Sequence, residues 1–331
     1  MKNKIFVDGD LLAFPSASVA EDRIYVAKDP SGKTVAEFEG AKAHSAWLEE
    51  MELFGTDVQF GFDGDPEDLT RELEIRPRDF KEAQKAFKRT LDQWLSKCPD
   101  GDVTVYMAPM SGTTNFRHEV ALRKHYKGNR SDAHKPLHLQ ELREWAFTLP
   151  YTKRATKFES DDLVTGMAHR HGENGYLVQN EKDGFTCYNC WFLYPDYHDK
   201  PVWSDPNSLG YVEWNGKKVV GLGRLFLMYQ VLSGDSCDTY SGLDGVGPKK
   251  SIEVLSPYNN AHVKHLPEVV KVVANMYRKK YGDAYDYINK FGEPATASWF
   301  DFYVESVRLA YMLKSRKDYP HSFIDPAKEL K

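Results

Sequence analysis

Short apolar runs alternate with longer amphipathic stretches along this chain, which predicts a mixture of strands and helices. Lys4–Val7 is apolar and ends at Asp8, as does a strand whose C-terminal edge delivers a carboxylate, the usual ligand edge of open α/β sheets. Arg23–Lys28 and Thr34–Phe38 flank Pro30-Ser-Gly-Lys33 and read as a β-hairpin. Ala41–Leu53 reads as a helix and Val58–Phe62 as a strand ending at Asp63. Pro77–Lys97 predicts a helix with Pro77 at its first position, since Phe80, Gln84, Phe87, Leu91 and Trp94 recur every three or four residues. Asp102–Met107 is a second core strand.

Further on, a helix is expected from Phe158 to about His169, then a strand over Gly175–Val178 and another in the segment around Cys187 and Cys190. Tyr211–Leu222 turns at Asn215-Gly216, a strong hairpin signal. Gly223–Leu232 reads as an apolar helix, followed by helices over Pro267–Tyr281, Asp283–Phe291 and Ala297–Leu313. The polar end, Ser315–Lys331, is expected to fray.

Length and composition narrow the class. The 331 residues suit one large domain or two unequal ones, and 41% hydrophobic with 13% aromatic residues predicts an ordered globular protein. No apolar run reaches the length of a membrane span, so a soluble, cytoplasmic protein with no membrane partner is expected. Four cysteines fit reduced thiols, and Cys187-Tyr-Asn-Cys190 lacks the second pair that a zinc site needs.

The net charge of −5 conceals a basic region. Between Asn115 and Lys157 ten Lys/Arg stand against four Asp/Glu, with His118, His125, His134 and His138 among them. Its centre, His125-Tyr-Lys-Gly-Asn-Arg130, suits contacts with a phosphate backbone and a stacked base. A solvated helix face is the plainer reading of such a run.

Carboxylates gather at predicted strand ends and helix starts: Asp8, Glu159 with Asp161 and Asp162, Glu181 with Asp183, then Asp235 and Asp238. Asp161 and Asp162 diverge by about 100° on a helix and so could serve two ions. Such acids converging in one site would repel unless cations neutralise them, and hard oxygen ligands suit magnesium or manganese. Two ions about 4 Å apart could support in-line phosphoryl displacement. Immediately after Asp238, Gly242–Lys250 reads GLDGVGPKK, a glycine turn opening a helix, where phosphate oxygens bind well.

Taken in order, Val7-Asp-Gly-Asp10, Phe116-Arg117, Tyr126-Lys-Gly-Asn-Arg130, Glu159-Ser-Asp-Asp162, Glu181-Lys-Asp183 and GDSCDTYSGLDGVGPKK resemble the 5′-nuclease family. That family comprises phage 5′→3′ exonucleases, flap endonucleases and the 5′-nuclease domain of bacterial DNA polymerase I. The resemblance, strongest to T-odd-phage exonucleases, covers roughly residues 4–255. It implies an α/β fold: a PIN-like Rossmannoid core with a central, mostly parallel sheet, a helical arch, a helix–three-turn–helix element and C-terminal helices. The implied division is a catalytic domain over 1–222, with the arch at about 115–150, and a helix–three-turn–helix and helical region over 223–331.

By position, Asp8, Glu159 and Asp161 would hold one Mg2+ or Mn2+. Asp162, Asp183, Asp235 and Asp238, with Glu181 nearby, would hold a second. Lys127, Arg130, Asp161 and Asp162 take the catalytic roles in this reading. Arg117, Tyr126, Lys127, Arg130, Gly245, Gly247, Lys249 and Lys250 would contact DNA, with K+ bound at the glycine turn. The implied activity is 5′→3′ exonuclease and flap endonuclease hydrolysis of DNA, RNA–DNA hybrids included, by a monomer in phage replication or recombination. The host cytoplasm is the implied location.

Two departures stand out. The acid that the family carries after the second core strand is absent from Met107–Asn115, leaving Asp63 or Asp10 to compensate, and Glu181 replaces an aspartate. The alternative reading is therefore a weakened or inactive DNA-junction binding protein on the same scaffold; a PIN-type ribonuclease is a third.

Overall fold

The computed structural model describes residues 2–54, 66–109, 115–130 and 134–331. The strand expected at Val58–Phe62, with Asp63, lies outside them, as do residues 110–114.

The described residues form two compact units. The larger, Met1–Leu12 with Leu91–His134 and Arg143–Lys331, is built on a six-stranded sheet. Its order is Thr152–Arg154, Gly101–Met107, Asn3–Asp8, Gly175–Val178, Cys190–Leu193 and Val202–Ser204. All neighbours are parallel except the last pair. This is the expected α/β arrangement with a mostly parallel central sheet. Ile5, Phe6 and Val7 are all buried, as a continuous apolar run requires when both faces of a parallel strand are covered.

Gly9 has to be glycine. A Cβ there would sit 2.7 Å from Val105 Cγ1 and 2.9 Å from the Tyr106 carbonyl oxygen, to which Gly9 N–H donates. The chain thus leaves the central strand pressed against its neighbour, with Asp8 and Asp10 on either side of the contact.

Helix Ser160–His171 packs on the central strands, and helices Arg224–Ser233, Leu266–Tyr281 and Trp299–Ala310 surround a large apolar core that includes Phe226, Tyr277, Phe302 and Tyr303. Two expectations here are corrected. Asp283–Phe291 is not helical: Gly282, at φ +63, ends the preceding helix, and Tyr285–Ile288 pairs with Pro294–Ala297 as a hairpin. Nor does the end simply fray, because helix His321–Lys328 buries Phe323, Ile324 and Ala327. The segment around the Cys-x-x-Cys pair also differs, with Lys182–Thr186 a 3-10 turn and only Cys190–Leu193 extended.

The smaller unit, Ala13–Thr90 with Lys135–Leu142, holds the predicted hairpin, Glu21–Lys28 with Thr34–Glu39, and a third antiparallel strand, Thr70–Pro77. Helix Ala41–Phe54 covers it through Trp47 and Met51, packed with Ala27 and Ala36. Pro77 ends the third strand instead of opening a helix. The helix starts at Phe80, where the Asp79 carboxylate accepts from Lys81 N–H at 2.9 Å and caps the first turn. Among the described residues no helix is long and apolar enough to cross a membrane.

Candidate metal centre

The acids read from the sequence come together at the C-terminal edge of the large sheet. Asp8 ends the central strand and is 2% exposed; its Oδ1 accepts from Asp10 N–H at 3.0 Å and lies 2.9 Å from Ser160 Oγ. Burial, with the nearby Asp10 charge, raises the Asp8 carboxyl to about 7. Asp10 itself is committed elsewhere: Arg143 donates to one oxygen at 2.7 Å, and Ala108 N–H and Ser160 engage the other. It is in no position to stand in freely for the missing strand-end acid.

Two triads of carboxylates follow, each with ligand atoms within 4.8 Å of one another: Glu159, Asp161, Asp162 and Asp183, Asp235, Asp238. The first opens helix Ser160–His171. Burial would raise Glu159, but the Lys127 and Arg117 charges hold it below its ordinary value. Asp161 is pushed well up, by burial and then by Glu159. Its Oδ1 accepts from the neighbouring Asp162 N–H at 3.1 Å.

Asp183 lies on the 3-10 turn after strand Gly175–Val178, where Gln230 Nε2 donates to it at 2.5 Å. Burial and the Glu181 charge raise Asp183 well above its ordinary value, while burial and Asp238 raise Glu181 to about 7. Asp235 and Asp238 sit on a tight turn closed by reciprocal backbone bonds between Asp235 and Tyr240. Gly234 enters that turn at φ +69, with no room for a Cβ, which would meet Gly242 N at 2.4 Å. Lys182 Nζ lies 2.6 Å from Asp235 Oδ1.

The segment Tyr126–Arg130 closes the centre from the other side. The Tyr126 hydroxyl lies 2.8 Å from Asp238 Oδ2 and 3.1 Å from Glu159 Oε2, linking the triads. Lys127, at φ +55, donates its N–H to the Asp238 carbonyl at 2.8 Å and its ammonium to Glu159. Arg130 meets Asp238 Oδ1 at 2.7 Å.

The donor set points to what this edge can hold. Among the described residues eight carboxylates, Asp8, Glu159, Asp161, Asp162, Glu181, Asp183, Asp235 and Asp238, face four contacting cations, Arg117, Lys127, Arg130 and Lys182. Burial and mutual repulsion raise four of these acids, which a bound cation would relieve, and every donor is a hard oxygen. The residues fit a two-ion centre.

No family model matches the chain. A stretch of 170 residues, 50% of the chain, is 25% identical to DNA polymerase I of Deinococcus radiodurans. The match spans 16% of that relative's length. DNA polymerase I is among the proteins to which the ordered motifs point.

Similar solved structures come from bacteriophage T5. A T5 protein co-crystallised with metal ions aligns over 99% of this chain and 96% of its own, at TM-score 0.46 and 12% identity. T5 5′-exonuclease with bound zinc aligns over 76% and 90%, at 0.40 and 14%. T5 flap endonuclease, in a pseudo-enzyme–product complex with DNA and metal ions, aligns over 99% of both chains, at 0.42 and 11%.

Three residues are placed differently from expectation. Arg117, expected at DNA, is fully buried because its guanidinium pairs with Asp162 and Glu159 and donates to the Leu309 and Tyr311 carbonyls. Tyr126, expected to stack on a base, is 2% exposed, its hydroxyl taken up by the acids. Asp162 has both oxygens on Arg117, and Leu313 N–H adds a third bond. Gly245, Gly247, Lys249 and Lys250 lie open to solvent at the start of helix Pro248–Leu255.

Ser160, Gln230, Arg123 and Glu305 were not singled out in the sequence. Glu305 is buried and accepts from the Leu122 and Arg123 N–H groups and the Arg123 side chain. Arg123 in turn donates to the Ser241 and Gly242 carbonyls at 2.8 Å, tying the glycine turn to the segment that carries Tyr126 and Lys127. The only sequence signal for Ser160 was its place inside the Glu159-Ser-Asp-Asp162 motif.

Proposed function

We propose that the protein is a metal-dependent 5′-nuclease that hydrolyses DNA phosphodiesters from 5′ ends, nicks or flaps. The observation that carries this reading is the gathering of eight carboxylates at the sheet edge, six of them in two triads whose ligand atoms lie within 4.8 Å of one another. The 25% identity to DNA polymerase I over half the chain supports it. Asp8, Glu159 and Asp161 would hold one ion, and Glu181, Asp183, Asp235 and Asp238 the other. Magnesium or manganese bound there supplies a water acidic enough to act as nucleophile and neutralises charge on the phosphate.

The chain's own residues do the rest. Lys127 and Arg130 are hydrogen-bonded to acids that the ions would neutralise, so each is placed to turn to a phosphate oxygen instead. Arg117 fixes Asp162 and the start of the helix, and so sets the direction of Asp161. The glycine turn and Lys249–Lys250 grip a duplex backbone without reading bases, and K+ is the ion proposed for the turn. A P–O bond forms to the water oxygen and the bond to the 3′ oxygen breaks, leaving a 5′-phosphate and a 3′-hydroxyl. Removal of 5′-terminated strands, RNA primers included, is the fitting role in replication or recombination.

Incubation of the purified protein with a 5′-flapped duplex and Mg2+ or Mn2+ tests this. Shortened products bearing 5′-phosphates are expected, and none with Asp161→Asn and Asp235→Asn combined. Tight binding of the flap without cleavage in either metal would instead establish the junction-binding reading, which Arg117 favours by neutralising part of the first triad.

A further inference from the structure

We propose that Phe291, at the tip of the hairpin Tyr285–Ala297, is a stacking platform for an unpaired base of a single-stranded 5′ segment. The proposal rests on the nuclease reading and names the part of the substrate that this surface takes.

The hairpin is anchored at its base and rigid at its tip. Tyr285 and Tyr287 pack on Phe302, with ring centroids 6.1 and 5.0 Å away. At the tip the Asn289 side chain accepts from Phe291 N–H at 2.9 Å and Glu293 N–H at 3.1 Å, while Gly292 takes φ +82. Lys290 then fastens the tip to the loop leading into the centre, its N–H donating to the Leu122 carbonyl at 2.9 Å and its ammonium to the His118 carbonyl at 2.6 Å.

On this braced tip Phe291 is 68% exposed. A single exposed phenylalanine is ordinary on a protein surface. Here, however, the backbone beneath it is held by both side-chain and main-chain bonds, and the ring stays largely open to solvent with a cation over it. His125 lies edge-on with centroids 5.5 Å apart, and Lys290 Nζ is 5.4 Å from the ring centroid. His125 is exposed beside it, and the next residues are Tyr126 and Lys127, which touch Glu159 and Asp238. The acid on the tip, Glu293, faces the Asn289 amide at 3.4 Å.

An exposed aromatic ring with a lysine over it, in contact with His125 one residue before Tyr126 of the proposed centre, matches single-strand recognition. The base takes the ring, and Lys290 beside it supplies positive charge for a flanking phosphate. A paired duplex offers no free base face, so the platform selects unpaired 5′ strands over continuous helix.

Fluorescence of 2-aminopurine, placed in turn at each position of a 5′ flap and measured in EDTA to prevent cleavage, reads the stacking directly. Wild type should quench one position strongly. Phe291→Ala should abolish that quenching and weaken flap binding about tenfold, while leaving a blunt duplex unaffected. Phe291→Trp should retain both, and unchanged thermal melting would show that the fold survives. If wild type binds flap and duplex and Phe291→Ala behaves identically, the platform is refuted while the nuclease reading stands. If wild type binds neither, the platform is refuted, and the nuclease reading falls with it only where cleavage in Mg2+ or Mn2+ is absent too. A dimer in sedimentation that Phe291→Ala dissolves would also overturn the proposal, by assigning the tip to a second copy of the chain.

Discussion

Arg117 and Asp162 form a buried, two-pronged ion pair, with N–O distances of 2.8 and 2.9 Å. Removing one partner of such a pair leaves the other charged and unsatisfied in a dry environment. Asp162→Ala is expected to cost about 3–5 kcal/mol in urea unfolding. Arg117→Lys should also destabilise, because a lysine cannot span both carboxylate oxygens and the two carbonyls.

Asp161, one residue earlier, should respond in the opposite way. Its charge is opposed by burial and by Glu159. Asp161→Asn removes that repulsion, so the metal-free variant should melt at a higher temperature than wild type. Cleavage should fall by at least about 100-fold, since the residue is proposed as a direct ligand. Paired melting and cleavage assays check the two signs together.

Divalent ions should stabilise the protein. At a concentration a hundred times the dissociation constant the gain is about 2.7 kcal/mol for one site, a rise of several degrees in Tm. EDTA should reverse it, and Asp161→Asn with Asp235→Asn should remove most of it. Scanning calorimetry with and without Mn2+ gives the answer.

The thiols offer a check on burial. Cys187 and Cys190 are buried, and burial pushes the Cys98 thiol up to about 12, whereas Cys237 is exposed. A thiol reagent at mildly alkaline pH should label Cys237 alone in the native protein and all four after denaturation. Rapid native labelling of Cys187 or Cys190 would contradict the packing of strand Cys190–Leu193.

What could be read from the sequence was whatever local pattern encodes. Asp8 announced itself by ending an apolar run, and Asp235 and Asp238 by their place before a glycine turn. Asp162 looked like any other acid of its motif, because the arginine that takes it lies 45 residues away. The carbonyls that hold that arginine come from residues 192 and 194 positions further on. Tyr126 had the composition of a stacking residue, yet its depth depends on acids from two distant segments. The hairpin bearing Phe291 reads as a helix in the sequence, since its alternation is only four residues long and lies between two true helices.

The ties from Leu309, Tyr311 and Leu313 to Arg117 and Asp162, and from Glu305 to Arg123, all come from the last thirty residues or so of the chain, far from any carboxylate motif. Shortening the chain to end before Glu305 would therefore disarm the centre with all of its acids still in place. A survey of damaging substitutions should find a second hot spot there, invisible to any search for ligands.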